Sequence, residues 1–396
     1  FGPRRPARPE GTRHSLNPRG HAAWPSALVR RSQNDDHSRR METTRPMIPP
    51  SVHPGSGDSE LRTRLSALVE AFGRPRIAVV GDLIADEFIY GRLDRISREA
   101  PVLIVKYDST EVTPGGAGNA GHNVAALGGV AQLVGLIGAD DIGRRLKRSL
   151  PRGVVKTGLV RPPGYHTPTK TRILAGGIHS ARQQVVRVDR DGPAVTRAMR
   201  AAVARAAVSA VAGCDAVIVS DYGTGLITPG LVAAIKRQLP RRGRRPASPI
   251  LLDSRYALLR YRRMTIAAPN ESEVEQMLGT SIGDDPKALE RAGRAVLERT
   301  RTRAMLITRG SRGMALFEPK RPTQHIGIYG TDEVADVTGA GDTVIATMAM
   351  ALSVGASCFE AALLANYAGG LVVMKRGTAT VNAAELLQAV ETDLMA

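Results

Sequence analysis

The chain has 396 residues, with 55 Lys and Arg against 37 Asp and Glu, a formal charge of +18. Two cysteines far apart, Cys214 and Cys358, and eight scattered histidines exclude a disulfide scaffold and any cysteine-based metal centre. The charge is clustered, with nine arginines and three acids in residues 1–40 and ten basic residues and one acid in residues 236–263. With only 4% aromatics, that clustering speaks for a tail and a solvated surface run and against a nucleic-acid-binding face.

Residues 1–60 are rich in Pro, Arg, Ser and Gly and carry no hydrophobic period, which predicts a disordered basic tail. Met41 is the first methionine, so the first forty residues are either upstream sequence or a basic arm. No continuous apolar run reads as a secretory leader, so a cytoplasmic protein is expected. The longest uncharged stretch runs from Thr343 to Phe359 and is interrupted by Ser353, Gly355 and Ser357. It falls just below the roughly 18–20 residues of a span, so it predicts a buried helix and no membrane association.

Residues 61–396 are expected to form one domain. Leu61–Phe72 predicts an amphipathic helix stopped by Gly73 and Pro75. Arg76–Gly81 reads as a buried strand entering a Gly-Asp turn, and Val102–Tyr107 as a β-branched strand. A helix over 119–128, a strand over Val130–Gly138 and a helix over Asp141–Leu150 follow. Period-2 alternation within 167–190 predicts antiparallel strands. Helix 194–212, strand Ala216–Ser220, helix 229–239, strand Ile250–Asp253, strand Thr265–Ala268, helices 271–278 and 286–300 and strand Ala304–Thr308 complete the series. Alternation of this kind predicts an α/β fold, a mostly parallel central sheet flanked by helices. The strands within about 84–115 and 165–190 break the rhythm and are expected to form a small β-sheet lid.

The sharpest chemical signal is Asp336-Val-Thr-Gly-Ala-Gly-Asp342, directly before the uncharged stretch. Two glycines allow a tight turn whose N–H groups point outward at a helix N-terminus, an anion site. An acid in that turn would repel a bound phosphate unless it works as a base or a metal ligand. Asp342 is therefore a candidate general base, with a plain helix N-cap as the alternative.

The string resembles the C-terminal signature of the ribokinase-like (PfkB) carbohydrate kinases. Gly115-Gly116-Ala117-Gly118-Asn119 is similar to that family's substrate-binding glycine motif, one residue shorter than in ribokinase and fructokinase, as in the heptose kinases. Val80–Asp86, Arg95–Val102, Arg182–Asp189 and Pro269-Asn-Glu-Ser-Glu273 also resemble D-glycero-β-D-manno-heptose-7-phosphate kinases, and the resemblance runs from about Arg76 to Ala396. It implies the ribokinase-like fold and ATP-dependent transfer to a sugar hydroxyl with Mg²⁺. The acceptor it points to is C1 of heptose 7-phosphate, giving the 1,7-bisphosphate for ADP-heptose synthesis. A homodimer through the lid is implied by analogy. No segment resembles the nucleotidyltransferase that follows the kinase in bifunctional heptose enzymes, so the kinase alone is expected.

By resemblance, Asp342 is the catalytic base, and Gly339, Ala340 and Gly341 form the anion hole. Asn270, Glu271, Ser272 and Glu273 match the element that holds nucleotide phosphates, Glu273 positioning Mg²⁺ through water; an Asn-x-x-Glu string also reads as a capping box. Thr308 and Gly310 match the loop near the nucleotide, and Asn366 the adenine pocket. Asp86, Gly115, Gly116 and Asn119 match sugar contacts. Lys170, Arg172 and Arg187 are candidates for a sugar phosphate, with surface charge on lid strands as the alternative. Two departures fall on the phosphate side: Thr224 and Arg255 stand where relatives carry Lys. The alternative functions are a PfkB kinase for another sugar or nucleoside, and a catalytically weak sugar-phosphate-binding regulator.

Overall fold

A computed structural model describes residues 57–176, 182–239, 247–330, 336–375 and 377–393. Most of the segment read as a tail lies outside the described residues, and the first helix already begins at Asp58. The elements in chain order are α1 (Asp58–Glu70), β1 (Arg76–Gly81), β2 (Leu83–Ile96), β3 (Leu103–Gly116), α2 (Ala117–Ala126), β4 (Val130–Leu136), α3 (Asp141–Ser149), β5 (Val154–Val160), β6 (Thr169–Gly176), β7 (Gln183–Arg190), α4 (Arg197–Val211) and β8 (Ala216–Asp221). They continue as α5 (Pro229–Gln238), β9 (Ile250–Ser254), β10 (Ile266–Ala267), α6 (Glu271–Leu278), α7 (Pro286–Thr300), β11 (Ala304–Thr308), β12 (Met314–Phe317), β13 (Gln324–Ile326), α8 (Ala340–Ser353), α9 (Cys358–Val373) and α10 (Ala383–Thr392).

Among the described residues, nine strands form one sheet in the order β13-β12-β11-β10-β9-β8-β1-β4-β5. It is parallel except at β12 and β13. The central strands are apolar throughout because both faces are covered. Ile77, Val79, Ile218 and Leu251 enter the layer of α1, α2, α8, α9 and α10, whereas Ala78, Val80, Val217 and Leu252 enter the layer of α4, α5 and α7. That strict alternation follows from the period of two along a strand. The uncharged stretch is one helix and the start of another: α8 ends at Ser353, and Gly355 reverses the chain at φ +101° before α9.

A second sheet, in the order β3-β2-β6-β7, stands apart. It corresponds to the small sheet expected over 84–115 and 165–190, although its β2–β6 pair is parallel. β2 and β3 fold back on each other in a register that pairs Leu83 with Gly116. The hairpin thus leaves the end of β1 and returns to the same point to start α2. Its root is buried, and its tip and β7 are exposed.

Strands β5, β12 and β13 were not expected from the sequence. β5 is a partly exposed edge strand interrupted by Gly158, and β12 is only four residues long, so neither shows a clear period.

Helix α1 is fastened by a buried ion pair. Arg64 Nε donates to Glu360 Oε1 at 3.0 Å, and both side chains are almost fully enclosed. Glu360 also accepts from Ser357 N–H at 2.7 Å in the capping box of α9. One carboxylate therefore starts one helix and holds another.

Candidate active site

Strand β1 lies between β8 and β4, and the chain runs to opposite sides of the sheet from it. In open α/β sheets, the carboxyl ends of strands at such a reversal form a crevice for ligands. Asp82 follows β1 and accepts from Tyr222 N–H at 2.8 Å and Thr224 Oγ1 at 2.5 Å, both just past β8. Burial pushes Asp82 up to about 6, and these donors restrain the rise.

A cavity of about 600 Å³ opens over these strand ends. The small sheet lines it with Lys170, Arg187 and Arg190, the strand ends with Tyr222, Thr224 and Arg255, and α6 with Asn270, Ser272 and Glu273. Of the basic groups on this side, Arg172 is paired with Asp86, Arg187 with Asp189 and Arg190 with Glu87. Lys170 and Arg255 have no ion pair among the described residues. Both sit over the ring of Tyr222, at 5.5 and 5.7 Å from its centroid. Burial and then the charge of Arg255 lower the Lys170 pKa, while Asp86 and Asp189 act in the opposite direction.

Asp342 lies in the first turn of α8, 3% exposed. Its Oδ2 accepts from Asn119 Nδ2 at 2.9 Å and its Oδ1 from Tyr222 Oη at 3.1 Å. Asn119 cannot turn over, because its Oδ1 accepts from Asn123 Nδ2 at 3.1 Å, and Asn123 Oδ1 accepts from Thr343 Oγ1 at 2.9 Å. Burial pushes Asp342 up to about 7; the two donors act downward and nearby Asp86 adds to the rise.

Gly339 precedes the helix at φ +81°, and a Cβ there would lie 2.4 Å from Asn119 Nδ2. Only glycine permits both this backbone and this approach. Ala340 N–H bonds to Val337 O at 3.3 Å. The N–H groups of Gly341 and Asp342 find no acceptor among the described residues, and a Cβ on Gly341 would meet nothing within 4 Å. Two backbone donors without an acceptor among the described residues thus lie at the helix start beside a buried carboxyl whose pKa burial raises to about 7. Asp336 fixes the turn from behind, accepting from Thr338 N–H at 2.9 Å and Gly377 N–H at 3.1 Å.

A family model for "pfkB family carbohydrate kinase" matches residues 74–385. The chain belongs to the PfkB family of carbohydrate kinases. This PfkB kinase is 40% identical over 325 residues to "Bifunctional protein HldE" of Caulobacter vibrioides, and 39% over 328 residues to the protein of that name in Methylococcus capsulatus. Each alignment covers 81% of this chain and 64–65% of the relative, so the chain spans just under two thirds of those proteins. Arabidopsis thaliana ribokinase, solved with ribose and ATP, shares the fold at a TM-score of 0.61 and 20% identity, over 80% of this chain and 99% of that one.

The PfkB kinase brings Asp342, Asn119, Gly339 and Gly341 together. Gly115 and Gly116 pack at the root of the small sheet, where a Cβ would strike Asp86 Oδ2 at 2.3 Å or Asp82 O at 2.6 Å. Asn270 and Glu273 form a capping box, Glu273 Oε2 accepting from Asn270 N–H at 3.0 Å, while both line the cavity. Neither Glu271, Thr308, Gly310 and Asn366 nor Asp342, Asn119, Asp86 and the two glycine turns are among its lining residues; Tyr222, which is, bonds to Asp342. Glu271 is bound by Arg309 and Arg312, Thr308 bridges to Asn270 at the end of β11, and Asn366 donates to Gly327 O at 2.8 Å. Sequence reasoning assigned no role to Asp82, Asn123 or Tyr222. The available signal was a strand ending in Gly81-Asp82 and another in Ser220-Asp-Tyr-Gly-Thr-Gly225, since carboxyl ends of parallel strands carry sites.

The raised pKa of Asp342 has a consequence for stability. The folded state holds this proton more tightly than the unfolded chain, so the contribution is full below about pH 4 and lost as pH rises through about 7. Asp342→Asn should therefore gain stability relative to the parent between pH 5 and pH 8, on the order of 2–4 kcal/mol. Urea midpoints at the two pH values measure it; an equal offset at both would contradict the raised pKa.

Proposed function

We propose that this kinase transfers the γ-phosphate of ATP to the C1 hydroxyl of heptose 7-phosphate, releasing ADP and the 1,7-bisphosphate. The observation that carries the proposal is Asp342, a buried carboxyl near neutral pKa beside two unpaired backbone N–H groups. The shortened glycine motif, the stretches quoted above and the HldE relatives favour the heptose acceptor.

In the reaction proposed, the acceptor hydroxyl gives its proton to Asp342 as its oxygen bonds to the γ-phosphorus. The bond from that phosphorus to the β-phosphate oxygen breaks, and ADP leaves. The N–H groups of Gly341 and Asp342 stabilise negative charge on the moving phosphoryl group. Asn119 and Tyr222 leave each oxygen of Asp342 a lone pair for the incoming proton. Lys170 and Arg255 hold the acceptor's own phosphate, because they are the cavity cations left without carboxylate partners. Arg255 thereby takes over the charge that Thr224 lacks, while the Thr224 hydroxyl is turned inward to Asp82.

The residues also suit Mg²⁺. Burial first, then the charges of Asp342 and Glu273, raise Asp253 well above the usual range, with Arg255 acting downward. A hard divalent cation would relieve this, and such an ion is commonly held by one or two carboxylates, water and substrate phosphates. Glu273 would hold it through water, and bound Mg²⁺ would neutralise phosphate charge.

The outer face of the small sheet exposes Ile96, Val102, Leu103, Tyr107, Val186 and Val188. A second copy of the chain covering this apolar face would form the lid dimer. Light scattering should give twice the chain mass, and Ile96→Glu with Val186→Glu should halve it; a monomeric parent protein would refute the dimer.

Asp342→Asn can keep the hydrogen-bond set, its oxygen facing Asn119 and its amide facing Tyr222 Oη, but it cannot take a proton. Its kcat, measured by coupled ADP release with Mg²⁺ and heptose 7-phosphate, should fall by about 10²–10⁴-fold with KM values little changed. A helix cap alone predicts near-normal turnover, since Asn caps about as well as Asp. Arg255→Met should raise KM for heptose 7-phosphate by about 10-fold or more, while the unphosphorylated sugar loses nothing. An equal loss on both acceptors would remove Arg255 from the phosphate site.

A further inference from the structure

Tyr222 touches Asp82, the Gly116 turn, Lys170, Arg255 and Asp342. Its backbone N–H donates to Asp82, which fixes the turn after β8 to the end of β1. Its ring packs against the glycine turn, where a Cβ on Gly116 would lie 3.4 Å from ring carbons Cδ2 and Cε2. The same ring lies beneath Lys170 and Arg255. Its hydroxyl donates to Asp342 Oδ1. One rigid side chain therefore joins the two unpaired cations to the proposed base.

The partners of Asp342 make that hydroxyl consequential. Asn119 on α2 is neutral and supplies one donor, to Oδ2. The charged groups whose fields bear on Asp342 are Asp86 on β2, Lys170 on β6 and Asp253 on β9. Two of these are acids, and Asp86 is already neutralised by Arg172. No cation forms an ion pair with Asp342 among the described residues. Its ionised form is thus favoured by two neutral hydrogen bonds, one of them from Tyr222, and more weakly by the charge of Lys170.

We propose that Tyr222 is the positioning residue of the reaction: its hydroxyl holds Asp342 ionised and aimed, and its ring aligns the phosphate-binding cations with that base. The inference rests on the kinase function proposed for the chain. It also supplies a reason for a phosphorylated acceptor, because an anion drawn to Lys170 and Arg255 is seated over the same ring that fixes the base. Backbone and ring set where the anion binds; the hydroxyl alone sets when the base is ready.

Two variants separate these roles. Tyr222→Phe keeps the ring and removes the donor. The acid limb of its kcat/KM profile should move up by roughly one pH unit, since a hydrogen bond to the charged form lowers a carboxyl pKa. Activity should then fall about fivefold at pH 7 and recover above about pH 8.5, with KM for the phosphorylated sugar unchanged. Tyr222→Leu should show the same shift and, in addition, a raised KM for that sugar. A uniform loss across pH in Tyr222→Phe, or an unmoved limb, would overturn the proposal. Infrared difference titration of the Asp342 carboxyl, referenced to Asp342→Asn, reads the same shift without turnover. It therefore tests Tyr222 even if no sugar is phosphorylated and the kinase proposal itself fails.

Discussion

A carboxyl group buried without a direct cationic partner is the constraint on which the site is built. Desolvation favours its neutral form, so its usefulness depends on how many donors the fold can bring to it. The molecule supplies two, from α2 and from the turn after β8, and locks the first through Asn123 and Thr343. The last link closes on α8 itself, since Thr343 follows Asp342. The helix that presents Asp342 also helps to orient the amide that holds it.

The surrounding architecture serves this arrangement. The β2–β3 hairpin leaves and rejoins the main sheet at one point, so the start of α2 lies against Asp82 and Tyr222 without a long connection. Strands β1, β8, β9 and β11 all deliver their carboxyl ends to one edge. Loops there can carry charged groups close together because the sheet beneath is apolar, covered on both faces and rigid. The basic residues of the small sheet are mostly matched by carboxylates, whereas Lys170 and Arg255 form no ion pair among the described residues.

Much of this was legible in the sequence, for physical reasons. The parallel strands are nearly continuous apolar runs, and their helices carry clear starts and stops, so the α/β alternation stood out. The Asp336–Asp342 string stood out because an acid in a glycine turn at a helix N-terminus, a place that suits anions, needs a reason to be there. What stayed hidden was pairing. Arg172 and Arg187 look identical to Arg255 in a sequence, and only tertiary contacts show that the first two are matched by carboxylates. Glu271 was grouped with its neighbours by adjacency, but successive residues in a helical first turn point in different directions. Tyr222 gave no sign of its place in the site, because a hydroxyl reaching a residue 120 positions away leaves no local trace.

The ion pair between Arg64 and Glu360 places a lower limit on how much of the chain is needed to fold. Arg64 lies ahead of every strand, in the first helix. Its guanidinium, however, is the charge that neutralises a carboxylate buried against α9, in the heart of the helical layer. A proteolytic cut or shortened gene product that spares residues from Asp58 onward leaves that balance intact. One that removes a further two turns takes Arg64 away from this buried carboxylate, a loss of several kcal/mol by the general cost of breaking a buried pair. The start of the folded unit is thus set electrostatically, a dozen residues before its first strand.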